Sequence, residues 1–183
     1  IHGGEITKSL LDEAFRHSIS KMSHLHFTAT DIYKKRVIQM GEMPKNVYCV
    51  GGLGVDNINF SDLYTKSELE KKLKIKFLKK TIIVTYHPET LKKKSSLLNL
   101  KNFFNALKTL KDTTIIFTLP NFDIESVVIY KLISKFISRR RNCYLFKSLG
   151  QKKYFSCLKF SEFMIGNSSS GLLEMPTFKK FSI

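Results

Sequence analysis

Cysteine is scarce and badly placed for cross-linking: Cys49, Cys143 and Cys157 are odd in number and far apart, which points to neither a disulfide framework nor a clustered zinc site. No apolar run approaches the roughly 20 residues that cross a bilayer. The chain opens on Ile1-His2-Gly3-Gly4 instead of a basic and apolar leader, so a cytoplasmic protein is expected. Acidic residues are also few, 15 against 31 lysines and arginines, leaving a formal charge of +16. Such a balance suits phosphate-rich partners. The excess is nearly all lysine, however, scattered over expected helix faces and turns, with arginine only at Arg16, Arg36 and Arg139 to Arg141. No helix-turn-helix, finger or aromatic RNA-binding motif accompanies it. Neither nucleic acid nor membrane is expected as a partner.

What is present is an apolar content of 43%, enough for one ordinary domain, or for a domain plus part of another. The start without Met and the strand-like end Phe181-Ser182-Ile183 suggest a segment of a longer protein. β-type apolar runs alternate with helical periodicity. Strands are expected at His26–Thr28, Val47–Val50, Ile82–Tyr86, Thr114–Leu119, Cys143–Phe146, Phe163–Ile165 and from Phe181 onward. Helices are expected at Leu10–Ser23, Asp31–Met40, Glu68–Lys74 behind a Ser67/Glu70 capping box, Leu97–Leu110, Ile124–Ser138 and Tyr154–Phe160. The pattern predicts an α/β fold, a parallel sheet flanked by helices whose ligands bind at the carboxyl ends of the strands. Three glycines among Gly51-Gly52-Leu53-Gly54 mark a hinge over 51–58, with residues 1–50 the tail of a first domain and 59–183 a second.

Phe163 to Glu174 carries the strongest chemical signal. An apolar strand runs through Gly166 into Ser168, Ser169 and Ser170 at a helix start, where hydroxyls, backbone N–H groups and the helix dipole favour an anion such as a diphosphate. Glu174, about one and a half turns on, is placed to accept hydrogen bonds from a vicinal diol such as a ribose. A serine-rich N-cap that binds nothing is the plain alternative. Two further clusters lie at expected strand ends or turns. Gly3 and Gly4 beside Glu5 would let a substrate approach the backbone, and Asp12 and Arg16 share one helix face, either as a helix ion pair or as site residues. His87, just past a strand and before Pro88, is placed for proton transfer or phosphate contact, or is a surface histidine. His24 and His26 lack an acidic or cysteine partner nearby in sequence and are read as packing residues, so no metal is expected.

Together these stretches resemble the hydrolysing UDP-N-acetylglucosamine 2-epimerases, enzymes that make N-acetylmannosamine for sialic acids. The resemblance covers His2-Gly3-Gly4-Glu5, Asp12 to Phe27, Gly51 to Ile58, Val84 to Pro88, Pro120-Asn121, Ser148 to Gln151 and Gly166 to Glu174. It implies a glycosyltransferase-B-like architecture: two Rossmann-like halves, a cleft between them, a UDP-sugar as substrate, no cofactor and a homo-oligomer at full length. By resemblance Glu5 and Asp12 are catalytic carboxylates, and His87 lies against the sugar or its diphosphate. Ser168 and Ser169 hold the diphosphate, Glu174 the ribose, and Asn121 with the backbone near Leu149 lies beside the nucleotide. Departing from the family, Ser9 stands where a glycine is usual. By the same resemblance a phosphate-binding arginine and a further acidic residue are expected upstream of Ile1, and a nucleotide-holding helix beyond Ile183, so residues 1–183 alone are expected to be inactive. The same sequence leaves room for a UDP-2,4-diacetamido sugar as substrate, for a non-hydrolysing epimerase or UDP-sugar glycosyltransferase, and for a basic binding module without catalysis.

Overall fold

The computed structural model describes residues 1–6, 10–86, 94–119 and 126–183. Expected site residues His87 and Asn121, and the departure at Ser9, lie outside them. The chain divides into two compact units, Ile1–Asn59 and Phe60–Ile183.

In the first unit, β1 (His26–Thr28) and β2 (Val47–Cys49) pair in parallel, with α1 (Leu10–Lys21) and α2 (Asp31–Gln39) preceding and separating them. The Thr30 side chain caps α2 by accepting from the Tyr33 amide at 3.2 Å, satisfying an N-terminal donor. Val37, Val47, His26 and Ser20 are buried. His26 is held through Nε2 at 3.1 Å from the Glu42 carboxylate, and Lys21 reaches the other oxygen of Glu42 at 2.5 Å. Chiefly through that Lys21 hydrogen bond, Glu42 titrates below its ordinary range. Within the glycine-rich stretch expected as a hinge, residues Leu53–Asn59 form a helix, α3, which ends where the first unit ends.

The second unit is built on a five-stranded, wholly parallel sheet in the order β5-β4-β3-β6-β7. Its strands are β3 (Lys80–Thr85), β4 (Thr113–Thr118), β5 (Cys143–Phe146), β6 (Phe163–Gly166) and β7 (Phe181–Ser182). Helices α4 (Lys66–Leu73), α5 (Lys94–Lys108), α6 (Ser126–Ile137), α7 (Gly150–Phe160) and the single turn α8 (Ser170–Leu173) run between them. Residues 81–85 of β3 and 113–117 of β4 are buried without a break, as expected of strands covered on both faces. One core cluster joins Ile82, Val84, Ile115 and Phe117 to Leu100, Phe104 and Leu107 of α5 and Ile129, Ile133 and Phe136 of α6. Phe104 and Phe136 stack there at 5.1 Å. Cys143 and Cys157 are buried, and burial pushes their thiols up to about 11 and about 12 respectively, so both are unreactive at neutral pH.

Two local expectations are corrected. The capping box of α4 is Thr65 with Glu68, reciprocally bonded, and not Ser67 with Glu70; Glu70 instead accepts from the Phe77 amide at 2.7 Å. Helix α7 starts at Gly150, four residues before the expected Tyr154, which brings its first turn to the sheet's carboxyl edge. Among the described residues no helix is long and apolar enough to cross a membrane.

Gly166 fixes the docking of β6 on β3. Its φ of 138° is closed to other residues, and a Cβ there would run into the carbonyl oxygen of its partner Thr85. Gly166→Ala is expected to cost at least about 3 kcal/mol, from strained backbone plus steric displacement, measured by denaturant unfolding. An unchanged midpoint would refute this account of the β3–β6 junction.

Candidate functional site

From β3 the chain builds outward through β4 to β5, then returns to place β6 on the other side of β3. The strand order reverses between β3 and β6, and in open parallel sheets that reversal opens a crevice at the carboxyl ends. A cleft of about 500 Å³ lies there, within the range of small-molecule sites. Thr85 and Thr118, the last residues of β3 and β4, form its floor; Ser148 to Gln151 form one wall, and Ser168, Ser169, Ser170 and Glu174 another.

Three expected residues of the nucleotide site, Ser168, Ser169 and Glu174, thus share one cleft with Leu149. The serine segment differs in one respect from its sequence expectation. Since α8 is a single turn, its dipole is slight, and what the segment offers an anion is individual donors. Ser169 makes no side-chain capping bond to α8, while Ser168 Oγ accepts from the Ser170 amide at 3.3 Å. The longer helix facing the cleft is α7, whose N-cap Leu149 also provides no side-chain cap. The Gly150 amide donates weakly to Ser148 Oγ at 3.4 Å, and the amides that follow it in the first turn add to the donors on the opposite wall. Glu174 Oε2 is buried with no hydrogen-bond partner among the described residues. A buried carboxylate oxygen left unpaired is costly, and a hydroxyl donor arriving in the cleft would relieve it.

Sequence reasoning missed a set of hydroxyls beneath the serines. Tyr154 of α7 bonds Ser170 at 2.5 Å between oxygens and lies 3.9 Å from Met164 Sδ, while Thr85 bonds Thr118 on the cleft floor. Burial pushes the Tyr154 hydroxyl above its ordinary range, with the Ser170 bond partly offsetting and the Glu174 charge adding to the rise. It stays protonated at neutral pH. The signal available in sequence was a threonine ending each of two apolar strands, Thr85 and Thr118.

In the first unit, Glu5 is half-exposed and its Oε2 lies 3.1 Å from Arg16 Nη1. That nitrogen makes no aligned hydrogen bond, so the contact is an ion pair without directed N–H geometry. Arg16 therefore serves Glu5 and not Asp12, which is exposed on α1. Gly3 and Gly4 also have a different purpose from the one expected. A Cβ on Gly3 would sit 2.5 Å from Ser20 Oγ, and one on Gly4, with φ 82°, would strike the Tyr33 carbonyl. Both glycines let the segment before Glu5 lie against α1 and α2, and Arg36 clamps it by donating to the Gly4 carbonyl at 3.0 Å. Among the described residues no group of three His, Cys, Asp or Glu side chains is arranged to hold a metal ion.

A sequence model of the family described as UDP-N-acetylglucosamine 2-epimerase matches residues 1–183. The chain is 42% identical over 97% of its length to a GDP/UDP-N,N'-diacetylbacillosamine 2-epimerase (hydrolyzing) of Campylobacter jejuni, and 42% identical over its whole length to polysialic acid biosynthesis protein P7 of Escherichia coli. It covers 46% of each, so it spans about half the length of these relatives. Among solved structures, the S. aureus MnaA–UDP co-structure superposes with a TM-score of 0.75 at 18% identity, over 98% of this chain and 49% of that one. The Neisseria meningitidis UDP-GlcNAc 2-epimerase bound to UDP-GlcNAc gives 0.67 at 19%, over 100% and 50%. These likenesses establish the α/β, Rossmann-like fold of glycosyltransferase-B type. By the match along all 183 residues, the chain belongs to the UDP-N-acetylglucosamine 2-epimerase family.

Proposed function

We propose that the protein to which this chain contributes is a hydrolysing 2-epimerase of UDP-N-acetylglucosamine, releasing UDP and N-acetylmannosamine. The observation that carries the nucleotide half of this reading is Glu174: an unpaired, buried carboxylate oxygen in a strand-end cleft walled by the serine turn and the start of α7. A ribose diol donates to such a carboxylate, and the serine hydroxyls and α7 amides donate to a diphosphate. Leu149 and Asn121 are assigned to the nucleotide, and His87 to the sugar or diphosphate, on the family resemblance.

The chemistry asks for two proton-transfer groups and a stabilised leaving group. C2–H has no neighbouring carbonyl and is not acidic, so cleavage of the C1–O bond leads and builds oxocarbenium character. One carboxylate then removes the C2 proton, giving a glycal and UDP. Water adds at C1 and a proton returns to C2 from the opposite face, which inverts that centre and frees the sugar. Glu5 and Asp12 are proposed for the two transfers, with Arg16 orienting Glu5 through their ion pair. Neutral donors around the diphosphate stabilise the charge that grows on UDP in the transition state. No metal or redox cofactor has a step in this scheme.

A second substrate is favoured by a specific comparison, since the relatives from Campylobacter jejuni and Legionella pneumophila, 42% and 33% identical, are named as hydrolyzing N,N'-diacetylbacillosamine 2-epimerases. A UDP-2,4-diacetamido sugar would follow the same elimination and hydration, because the chemistry sits at C1 and C2.

Three outcomes are expected of the full-length protein. Supplied with UDP-N-acetylglucosamine and the diacetamido nucleotide sugar separately, it releases UDP and a free C2-epimerised sugar from at least one, identified by NMR; a nucleotide-linked epimer or a new glycoside would overturn the hydrolysing assignment. Glu5→Gln lowers kcat by about 10²- to 10⁴-fold while UDP affinity stays within about twofold, and full turnover would remove Glu5 from the chemistry. Glu174→Gln weakens UDP by about tenfold in calorimetry but leaves the 2',3'-dideoxy analogue unaffected; an equal loss for both would exclude ribose recognition.

A further inference from the structure

Four hydroxyls from four elements meet at the floor of the cleft. Thr118 ends β4, Thr85 ends β3, Tyr154 lies in the second turn of α7 and Ser170 opens α8. Thr118 bonds Thr85, and separately Tyr154 bonds Ser170 at 2.5 Å. Thr85 and Ser170 are 6% and 8% exposed, so solvent supplies little competition for their protons. Each hydroxyl has a single proton to donate, so the Tyr154–Ser170 bond has two states, its proton coming from one partner or the other. The positive donor set on the cleft walls and the Glu174 charge beside Tyr154 make these states unequal once an anion arrives. When Tyr154 donates to Ser170, the proton of Ser170 is left for the cleft. In the reverse state Ser170 spends its proton on Tyr154 and presents only lone pairs.

Building on the nucleotide assignment of this cleft, we propose that Ser170 is a third hydroxyl donor to the bound diphosphate, and that Tyr154 is the positioning residue that turns its proton outward. Ser168 and Ser169 then share the anion with a deeper donor whose direction is set by the Tyr154 hydroxyl. Hydrogen bonds in series polarise one another, so the last donor of the pair is stronger than an isolated serine. Ser170 contacts the ligand; Tyr154 acts only through it. The bond to Ser170 also fixes where α8 begins relative to α7, so the same tyrosine ties the two walls of the cleft together.

The test uses the full-length protein, with UDP and uridine as calorimetric probes and the variants Tyr154→Phe, Ser170→Ala and the double substitution. Tyr154→Phe removes one oxygen and keeps the ring packing. It is expected to weaken UDP by about tenfold and leave uridine within about twofold, because only the phosphate end loses a directed donor. Ser170→Ala should do the same, and the double variant should be no worse than the weaker-binding single variant, since both act on one donor. Equal losses for UDP and uridine would show that Tyr154 merely supports the fold; unchanged UDP affinity, or effects of the two substitutions that multiply, would each overturn the proposal. Wild-type protein that binds neither probe would instead sink the nucleotide assignment itself, a result distinguishable from all of these.

Discussion

Everything at the carboxyl edge of the sheet depends on how closely β6 can approach β3. The contact point is Gly166 against Thr85, a place where the backbone turns through a positive φ and no side chain fits. With β6 seated there, Ser168 to Ser170 emerge directly above the ends of β3 and β4, facing the first turn of α7 across the crevice. A sheet buried on both faces makes this edge rigid, because shifting β3 would disturb the apolar layer of Ile82, Val84, Ile115 and Phe117. The site is thus placed by packing that has no chemical part in it.

Much of this architecture was legible in the chain. The strands of the second unit stand out as short apolar runs since parallel strands covered on both faces need no polar alternation, and Ile82 to Tyr86 and Thr114 to Leu119 read that way. The serine turn and Glu174 were legible because they are local: strand, glycine, hydroxyls and carboxylate lie within one short stretch. Features that depend on partners far along the chain were not. Arg16 has two carboxylates to choose from, and only folding brings Glu5 closer than Asp12. Gly3 and Gly4 look like room for a ligand until α1 and α2 are seen to occupy that room. Thr65/Glu68 and Ser67/Glu70 have the same chemistry at the same spacing, and tertiary contact from Phe77 decides between them. The start of α7 was hidden by a glycine that weakens helical periodicity at Gly150. His87 and Asn121 fall outside the described residues, so their placement rests on the sequence resemblance alone.

The character of the cleft is set by neutral groups more than by charge. A chain with a formal charge of +16 could hold an anion with many lysines, yet of these only Lys147 lines the cleft among the described residues, beside hydroxyls and amides. Such donors are fixed by the backbone and lose little freedom when they bind, whereas lysine side chains give up considerable rotamer entropy. The surplus of lysine then serves the longer-range field that draws anionic molecules toward the protein.

Glu174 gives the crevice a front and a back. A carboxylate cannot share its place with a phosphate, since two negative charges in a sheltered setting repel strongly. A nucleotide that entered the wrong way round would press its phosphates against this side chain and leave the hydroxyl-lined end to the neutral sugar. Under the proposed nucleotide assignment, one buried oxygen would do more than grip a diol: it would thread the ligand in a single sense, so that the bond to be broken would always emerge at the same mouth.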